Sequence, residues 1–354
     1  MNLFYRKLIR PIIFRLEAEN AHNLACRFLS FTEKYKAPRA LIKYFSKEHS
    51  CPVNLFGLSF PNQIGLAAGM DKNAEFPNSF SAFGFGHLEV GTITPEGQTG
   101  NPKPRLFRYP QYNAIVNRMG FNNLGVEKIS RKIQRNFPKH KRTIPLGINI
   151  GKGKNTPIDN AIEDYRICLK KVVTLADYVT INISSPNTPN LRKLHHSDFI
   201  IPFLKELSNL NTELAKQHQQ APVPLLLKIS PDESFRTLEL IVLNAVELGF
   251  SGIIATNTSI SRFSNKGYKD FETGGLSGNP IESKSLSIVK FLAKVTDHKF
   301  PIIGVGGISC LDSALRKLDA GASLIQIYSS FVYNGPFFPS SLSKALRYRN
   351  KSWP

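Results

Sequence analysis

The segment IIGVGGISCLDSALRKLDAGASLIQIYS, residues 302–329, has two short apolar runs on either side of a helix-like stretch. The runs at 302–305 and 324–328 have the length of buried strands, and residues 311–319 between them have helical spacing. Two strands joined by a helix are typical of a parallel pair with a crossover connection. The segment therefore predicts one strand–helix–strand unit of a parallel sheet.

The same alternation extends back to about residue 50. Six further apolar runs are predicted as strands, at 63–67, 87–90, 146–150, 178–183, 225–229 and 252–255. Amphipathic stretches at 124–137, 159–175, 199–217, 234–248 and 283–295 separate them. Eight strands alternating with helices predict an α/β fold of the (β/α)8 TIM-barrel type. A doubly wound open sheet is the alternative, but no G-x-G-x-x-G motif follows the first strand.

The N-terminal residues have a different pattern. Leu8 and Ile12 belong to an apolar stripe with helical spacing, and Asn20 is predicted to cap a second helix. Residues 1–50 hold ten Lys or Arg and four Asp or Glu, a local charge of +6. Two interpretations stay open, a basic amphipathic segment on a membrane surface and an ordinary helical pair packed on the main domain. We divide the chain into a helical segment, 1–48, and a barrel domain, 49–354.

The composition limits the class of protein. The chain has 354 residues, of which 42% are hydrophobic, so a large core is expected and general disorder is excluded. The net charge of +20 suits nucleic acid, an acidic membrane or a small anionic substrate, and composition alone does not choose among them. The four cysteines form no C-x-x-C pair, so a structural metal site is not expected. A reducing compartment is expected, because so few cysteines do not form a disulfide framework in a chain of this size. Basic residues interrupt the N-terminus, so no secretory signal or spanning helix is predicted.

Polar side chains follow nearly every predicted strand. The active sites of such barrels lie at the carboxyl ends of the strands. Amides both donate and accept hydrogen bonds, so these side chains predict a planar ligand with carbonyl and N–H edges, such as a pyrimidine or an isoalloxazine. Lys72 and Lys228 would add positive charge. The amides are Asn149, Asn182, Asn187 and Asn257.

Glycines after the seventh strand predict a phosphate site. Gly306 and Gly307 precede Ser309 at the start of a helix, where backbone N–H groups can approach an anion. Gly274, Gly275 and Gly278, after the sixth strand, are predicted to add to this cradle.

Four segments together resemble the dihydroorotate dehydrogenases. They are GLAAGMDK at 65–72, NRMGFNN at 117–123, NISSPNT at 182–188 and GVGGI at 304–308. The resemblance covers essentially the whole chain in order. Ser185 occupies the position of the catalytic base, which is serine in the membrane-associated, quinone-dependent class and cysteine in the soluble class. The N-terminal helical segment points to the same quinone-dependent class.

The resemblance implies three ligands. FMN would lie at the barrel top, against Ala68, Gly69, Lys72, Thr92, Asn149, Asn182, Lys228, Thr256, Gly278, Gly307, Tyr328 and Ser329. Dihydroorotate would be held by Lys72, Asn117, Arg118, Met119, Gly120, Phe121, Asn182, Asn187, Asn257 and Thr258. A quinone would reach the flavin through a tunnel in the helical segment, with His22 and Arg108 near its head group.

The implied reaction oxidises (S)-dihydroorotate to orotate in the de novo pathway to UMP. Ser185 would remove a proton from C5, a hydride would pass from C6 to flavin N5, and a membrane quinone would then accept the electrons. Thr188 with a water would relay the proton from Ser185, Phe121 would shield the site, and Lys72 would balance negative charge.

Two alternatives differ in class. A tRNA dihydrouridine synthase would share an FMN barrel and would use the positive charge on phosphates, but it would carry a catalytic cysteine and a C-terminal helical domain. A barrel that only binds a ligand is the other. We expect instead a monomer on the cytoplasmic side of a bacterial cell membrane, bound peripherally to its anionic surface, with no nucleic-acid partner.

Overall fold

A computed structural model describes residues 2–46, 50–188, 191–195, 197–262 and 271–352. Eight parallel strands close into a barrel in chain order, and the last pairs with the first through Ile325 and Ile64. All eight predicted strands are present, with ends that differ by a few residues, and the open-sheet alternative is wrong. The barrel strands are Ile64–Leu66, His87–Ile93, Leu146–Ile150, Tyr178–Asn182, Leu225–Lys228, Gly252–Ala255, Ile302–Val305 and Leu324–Ile327.

Helices surround the barrel and cover its apolar outer face. Val126–Asn136 shows why they form, because Val126, Ile129 and Ile133 recur at helical spacing and are its buried residues. The Ser234 hydroxyl accepts the N–H of Thr237 and so caps the helix that follows. The helices of the barrel domain are Pro77–Ala82, Val126–Asn136, Ala161–Val172, Ser197–Gln217, Phe235–Glu247, Glu282–Val295, Leu311–Asp319, Ser329–Asn334 and Phe338–Ser352. Short 3-10 turns lie at Pro110–Tyr112, Lys139–Lys141, Ile158–Asn160, Leu191–His195 and Asn279–Ile281.

A hairpin, which the sequence did not predict, lies against one end of the barrel interior. Val53–Leu55 pairs antiparallel with Leu58–Phe60. The ring of Phe60 is fully buried and meets the ring of His87 at 5.4 Å between centroids. The other end of the barrel is where the ligand cavity lies.

Further short strands, also not predicted, build the wall of that cavity. Leu106–Tyr109, Ala114–Asn117 and Gly275–Gly278 form a three-stranded antiparallel sheet, and Glu96–Gln98 pairs with Asn123–Gly125. This sheet joins the connection after the second barrel strand to the connection after the sixth.

The N-terminal segment consists of helices that pack on the barrel domain. Asn2–Phe4, a π-helical turn at Tyr5–Ile9, and Arg10–Ile13 follow one another directly, and Ala18–Lys34 and Lys36–Ser46 complete the segment. No strand occurs in the described part of this segment, as predicted.

The predicted cap at Asn20 is wrong. The carboxylate of Glu17 accepts the N–H groups of Glu19 and Asn20, so the helix begins at Ala18 and Asn20 lies inside its first turn. A carboxylate at this position satisfies free N–H groups and interacts favourably with the positive end of the helix dipole.

Two acidic residues attach the long N-terminal helix to the barrel domain. The buried Glu19 carboxylate pairs with Arg105 at 2.9 Å, and Glu33 accepts hydrogen bonds from the Asn78 and Ser79 side chains. Breaking a buried pair by removing one partner is strongly destabilising, so these contacts hold the helices in place.

Candidate active site

A cavity of about 310 Å³ lies at the carboxyl ends of the barrel strands. Arg6 and Arg10 of the first N-terminal helix border it, so the cavity lies between that helix and the barrel. Most of the residues predicted to bind ligands line it. They are Ala68, Gly69, Lys72, Thr92, Asn117, Met119, Gly120, Phe121, Asn182, Ser185, Asn187, Lys228, Thr256, Asn257, Thr258, Gly278, Gly307, Tyr328 and Ser329.

Amide side chains form a network at the barrel end of the cavity. The Asn182 amide nitrogen donates to the Thr92 hydroxyl at 2.9 Å and to Asn149 Oδ1 at 3.1 Å. Asn149 lies fully buried behind Thr92 and Asn182 rather than in the cavity wall. Asn149 orients these two side chains, which do line the cavity, and its contact with FMN stays a prediction.

Glu89 is part of this network and was missed by the sequence analysis. Its carboxylate is fully buried inside the barrel, accepts hydrogen bonds from Asn149 and Gln326, and lies 3.9 Å from the Lys228 ammonium. Glu89 lies within a strand, whereas the predicted site residues lie at strand ends. The available signal was a carboxylate inside a run of otherwise buried residues.

The two predicted lysines differ in their surroundings. Burial lowers the pKa of Lys228, and the nearby Glu89 carboxylate opposes that change. Burial also lowers the pKa of Lys72, to about 8, and its ammonium donates to the Gly69 carbonyl at 2.8 Å. Asp71 shapes this loop by accepting the N–H groups of Glu75 and Phe76.

Ser185 is buried and its side chain faces the loop that carries it. The backbone N–H of Asn187 donates to Ser185 Oγ at 3.2 Å. Asn257 donates to the neighbouring Ser184 hydroxyl at 3.0 Å, which connects this loop to the connection after the sixth strand. A hydrogen bond donated to an oxygen favours the oxygen's deprotonated form.

A second, more open cavity of about 560 Å³ lies on the other side of the same loop. Ser185 borders both cavities, whereas Thr188 and Arg118 border only the second one among the cavities described. Arg118 pairs with Glu272 at 3.1 Å and donates to the Thr273 hydroxyl at 3.0 Å. The structure therefore does not bring Arg118 to the predicted substrate position.

The backbone conformation after the seventh strand requires glycine at two positions. Gly306 and Gly307 have φ values of +113° and +75°, which favour glycine. A Cβ on Gly307 would lie 2.3 Å from Glu282 Cβ. Of the three glycines predicted to extend the cradle, only Gly278 lines the cavity. Gly274 and Gly275 do not. Gly275 packs closely on Thr258, whose hydroxyl a Cβ at this position would meet at 2.1 Å.

The predicted quinone residues lie outside the lining of the main cavity. His22 Nε2 lies 3.5 Å from Cys26 Sγ, and burial, reinforced by the charge of Lys72, lowers the pKa of His22 to about 4. Arg108 donates to the Leu16 carbonyl, and its guanidinium lies 4.4 Å from the centre of the Phe14 ring. Arg108 thus fixes the connection between the first two N-terminal helical stretches.

Several residues that line the cavity were not predicted. They include Arg6, Arg10, Asn113, Ser277, Asn279, Gln326 and Tyr333. Ser277 and Asn113 follow from the antiparallel sheet, which depends on pairing between distant segments. The sequence does show Arg6 and Arg10 as basic residues within an otherwise apolar helix. Their position at the cavity depends on how that helix packs on the barrel, which the sequence does not show.

The closed barrel, with its enclosed polar cavity at the carboxyl ends of the strands, is the arrangement of a barrel enzyme. Residues 50–349 match the sequence model of the family described as dihydroorotate dehydrogenase. The chain belongs to the dihydroorotate dehydrogenase family. The match to this family supports neither of the two alternative predictions, a tRNA dihydrouridine synthase and a barrel that only binds a ligand.

Relatives cover nearly the whole chain. Dihydroorotate dehydrogenase (quinone) of Idiomarina loihiensis is 47% identical over 331 residues, which cover 93% of this chain and 96% of that one. The protein of the same name from Chloroflexus aurantiacus is 44% identical over 357 residues, which cover 99% and 98%. The crystal structure of DHODH from Eimeria tenella in complex with ferulenol superposes with a TM-score of 0.80 at 35% identity, covering 90% of this chain and 92% of that one.

Proposed function

We propose that the protein oxidises dihydroorotate to orotate with FMN as its prosthetic group and passes the electrons to a membrane quinone, as a step of pyrimidine synthesis. The observation that carries this proposal is the single cavity in which Ser185, Lys72 and Lys228 meet a ring of amides. The near full-length identity to relatives called dihydroorotate dehydrogenase (quinone) supports the same activity. The electron acceptor is tested by measuring turnover with a quinone, with NAD and with fumarate. We expect turnover with the quinone only.

The residues at the barrel end of the cavity fit a flavin. Gln326 Oε1 is buried without a hydrogen-bond partner among the described residues, and Gln326 lines the cavity. The ammonium of Lys228 has protons to spare beyond its contact with Glu89. The bare backbone of Gly306 and Gly307 suits a phosphate. A bound FMN would thus find an acceptor, a cation and free N–H groups in one cavity.

The chain's own residues would handle the substrate and its proton. FMN, when bound, supplies the two-electron chemistry. Ser185 would take the proton from C5 of dihydroorotate, and the N–H of Asn187 would stabilise the oxygen as it loses its own proton. Thr188, which borders the second cavity beside Ser185, is suited to pass that proton to a water there.

The substrate would be oriented by amides on opposite sides of the cavity. The Asn187 amide nitrogen donates to Asn117 Oδ1 at 3.2 Å, and the N–H of Thr258 donates to Asn257 Oδ1 at 2.8 Å. These contacts fix the side chains before a substrate arrives, which reduces the entropy lost on binding. Phe121, with Asn117 on the same wall, would keep bulk water from the reacting atoms.

Binding of dihydroorotate is expected to weaken as the pH rises through about 8. Lys72 would pair with the substrate carboxylate, and burial places the pKa of this lysine at about 8 in the free protein. The ammonium is charged below that pH and loses its proton above it, so kcat/KM falls by up to tenfold per pH unit at high pH. The Lys72→Arg variant should shift this fall to higher pH. An unchanged profile in that variant would contradict the role of Lys72.

The N-terminal helices are proposed as the membrane and quinone surface. No helix in the described part of the chain is long and apolar enough to cross a bilayer. Large apolar side chains of these helices nevertheless stay exposed, namely Leu3, Phe4, Leu8, Ile12, Leu24, Phe28, Phe31, Leu41, Tyr44 and Phe45. Together with the local charge of +6, they suit peripheral attachment to an anionic membrane, where each basic residue contributes about 1 kcal/mol.

A quinone bound at this surface would approach the cavity from the helical side. His22 lies close enough to Lys72 for its protonation to be affected, and Arg6 and Arg10 border the cavity itself. His22 and Arg108 are therefore proposed to lie along the quinone path rather than at the flavin. Action as a monomer on the cytoplasmic side of a bacterial membrane, without nucleic acid, stays a prediction.

The double variant Phe28→Glu/Phe31→Glu is expected to lose attachment to vesicles that contain anionic lipid. The two rings are 55% and 52% exposed, so the substitutions remove apolar surface without opening the core. Phe235→Glu is the matched control, because that ring is 49% exposed on a helix of the barrel. Co-sedimentation with vesicles measures the effect. Equal loss in the control, or retention in the double variant, would argue against this surface.

A further inference from the structure

Glu89 lies inside the barrel, directly behind the cavity. Among the eight barrel strands, all of which the structure describes, no other Asp or Glu occurs. Asn149 Nδ2 donates to Glu89 Oε1 at 2.8 Å and Gln326 Nε2 donates to Oε2 at 2.9 Å. The Tyr178 hydroxyl lies 3.4 Å from Oε2.

The charge of Glu89 is matched by Lys228. The ammonium lies 3.9 Å from Glu89 Oε1, and both residues are buried. Among the described residues, no other carboxylate lies within 4 Å of Lys228. A buried carboxylate is costly unless it is paired and hydrogen-bonded, and Lys228, Asn149 and Gln326 meet both conditions for Glu89.

Two partners of Glu89 line the cavity and a third lies just behind it. Lys228 and Gln326 line the cavity and would contact a ligand there. Asn149 orients Thr92 and Asn182. The carboxylate therefore fixes the geometry and also sets the net charge that a cofactor would meet.

We propose that Glu89 is a positioning residue of the cofactor site, which holds Lys228 and Gln326 against the cofactor and makes bound FMN harder to reduce. This inference rests on the proposed binding of FMN. Reduced flavin carries more negative charge than oxidised flavin near neutral pH, so a nearby cation stabilises the reduced form and a nearby anion opposes it. The Glu89 carboxylate offsets the charge of Lys228, which keeps the cofactor able to return its electrons to a quinone.

The Glu89→Gln variant tests the proposal through the reduction potential of the bound flavin. Rotation of the Gln326 amide would let its Oε1 accept from the new N–H group, so the variant can keep the network without the charge, and Gln326 Nε2 would then face the cavity. We expect reduction to become about tenfold more favourable, a shift of about 30 mV to more positive potential for a two-electron couple. The measurement is made by dye equilibration at about pH 7, where the reduced flavin carries the negative charge on which the expected shift depends.

Tyr178→Phe is the matched control, because it removes a hydrogen bond to Glu89 but keeps the charge. Its potential should equal that of the wild type, even where its melting temperature is lower. A purely structural role of Glu89 would lower the melting temperature of Glu89→Gln and leave the potential unchanged. That result would overturn the inference.

Two further results separate the possible failures. A wild-type protein that binds no FMN would contradict the proposed function itself, whereas a flavin-loaded wild type with an unshifted Glu89→Gln variant would contradict only the role of Glu89. The Glu89→Asp variant has a side chain one methylene shorter, which moves the carboxylate away from Lys228. It replaces Glu89→Gln as the test if that variant does not fold. Its potential should lie above that of the wild type, and an unchanged potential would overturn the proposal.

Discussion

The Ser185→Ala variant is expected to reduce its flavin with dihydroorotate about 10²–10⁴ times more slowly than the wild type, which is the usual contribution of a general base. Ser185 is buried, lines the main cavity and accepts the N–H of Asn187, so its hydroxyl is the group placed to take the proton. The flavin should remain bound, and its reoxidation by quinone should keep its rate. Stopped-flow measurement of the two half-reactions separates these effects.

Ser184→Ala is the matched control for this prediction. Ser184 is equally buried and one residue away, but its hydroxyl donates to Asn182 Oδ1 at 3.1 Å and does not line the main cavity. The Ser184 hydroxyl also accepts from Asn257, so the variant loses two hydrogen bonds of about 1 kcal/mol each, and the rate should fall by about 30-fold or less. Near-normal flavin reduction in Ser185→Ala, or an equal loss in both variants, would remove Ser185 as the base.

The Gly307→Ala variant is expected to bind FMN at least about 100-fold more weakly, which corresponds to about 2.7 kcal/mol. The residue has φ +75°, and the added Cβ would lie 2.4 Å from the Glu282 Cα, so the loop after the seventh strand has to move. Because that loop is the proposed phosphate site, the movement acts directly on the cofactor. Quenching of FMN fluorescence on titration with apoprotein measures the affinity.

Gly249→Ala separates the clash from the backbone conformation. Gly249 has the same φ of +75°, with nothing within 4 Å of the added Cβ, and it precedes the sixth barrel strand at the opposite end of the barrel. The left-handed conformation alone costs an L-residue about 1–2 kcal/mol of stability. Gly249→Ala should therefore melt at a lower temperature and keep its FMN. Full FMN affinity in Gly307→Ala would place the phosphate elsewhere.

The barrel could be predicted because its signal is local and repeated. Each strand is a short apolar run, such as 302–305, and nearly every run is followed directly by a polar residue or a glycine. Closure of eight such units brings the strand ends together whatever the details of the loops. This is why residues as distant in sequence as Lys72, Asn182 and Tyr328 line one cavity.

The rest of the site depends on long-range pairing that no local pattern carries. Ala114–Asn117 pairs with Gly275–Gly278 across more than half the barrel sequence, and both strands are only four residues long. That sheet explains why Gly275 serves strand packing instead of the cradle. Arg118 also depends on a distant partner, since Glu272 draws it away from the main cavity.

Glu89 and Asn20 show two other limits. A single carboxylate in a buried strand is visible in the sequence, but its partners come from four other strands and appear only when the barrel closes. At Asn20 the residue type with the stronger cap preference was predicted, but the helix begins earlier, because the Glu17 carboxylate accepts the N–H groups of Glu19 and Asn20. Propensity alone does not decide between such neighbours.

The most direct test of the proposed reaction follows the flavin of the purified, full-length protein through one turnover. The protein is expected to be yellow, with one FMN per chain, and to bleach when dihydroorotate is added without oxygen. A quinone added afterwards should restore the colour and release no further orotate. A protein that binds FMN but does not bleach with dihydroorotate, or that bleaches and is not reoxidised by a quinone, would contradict the account.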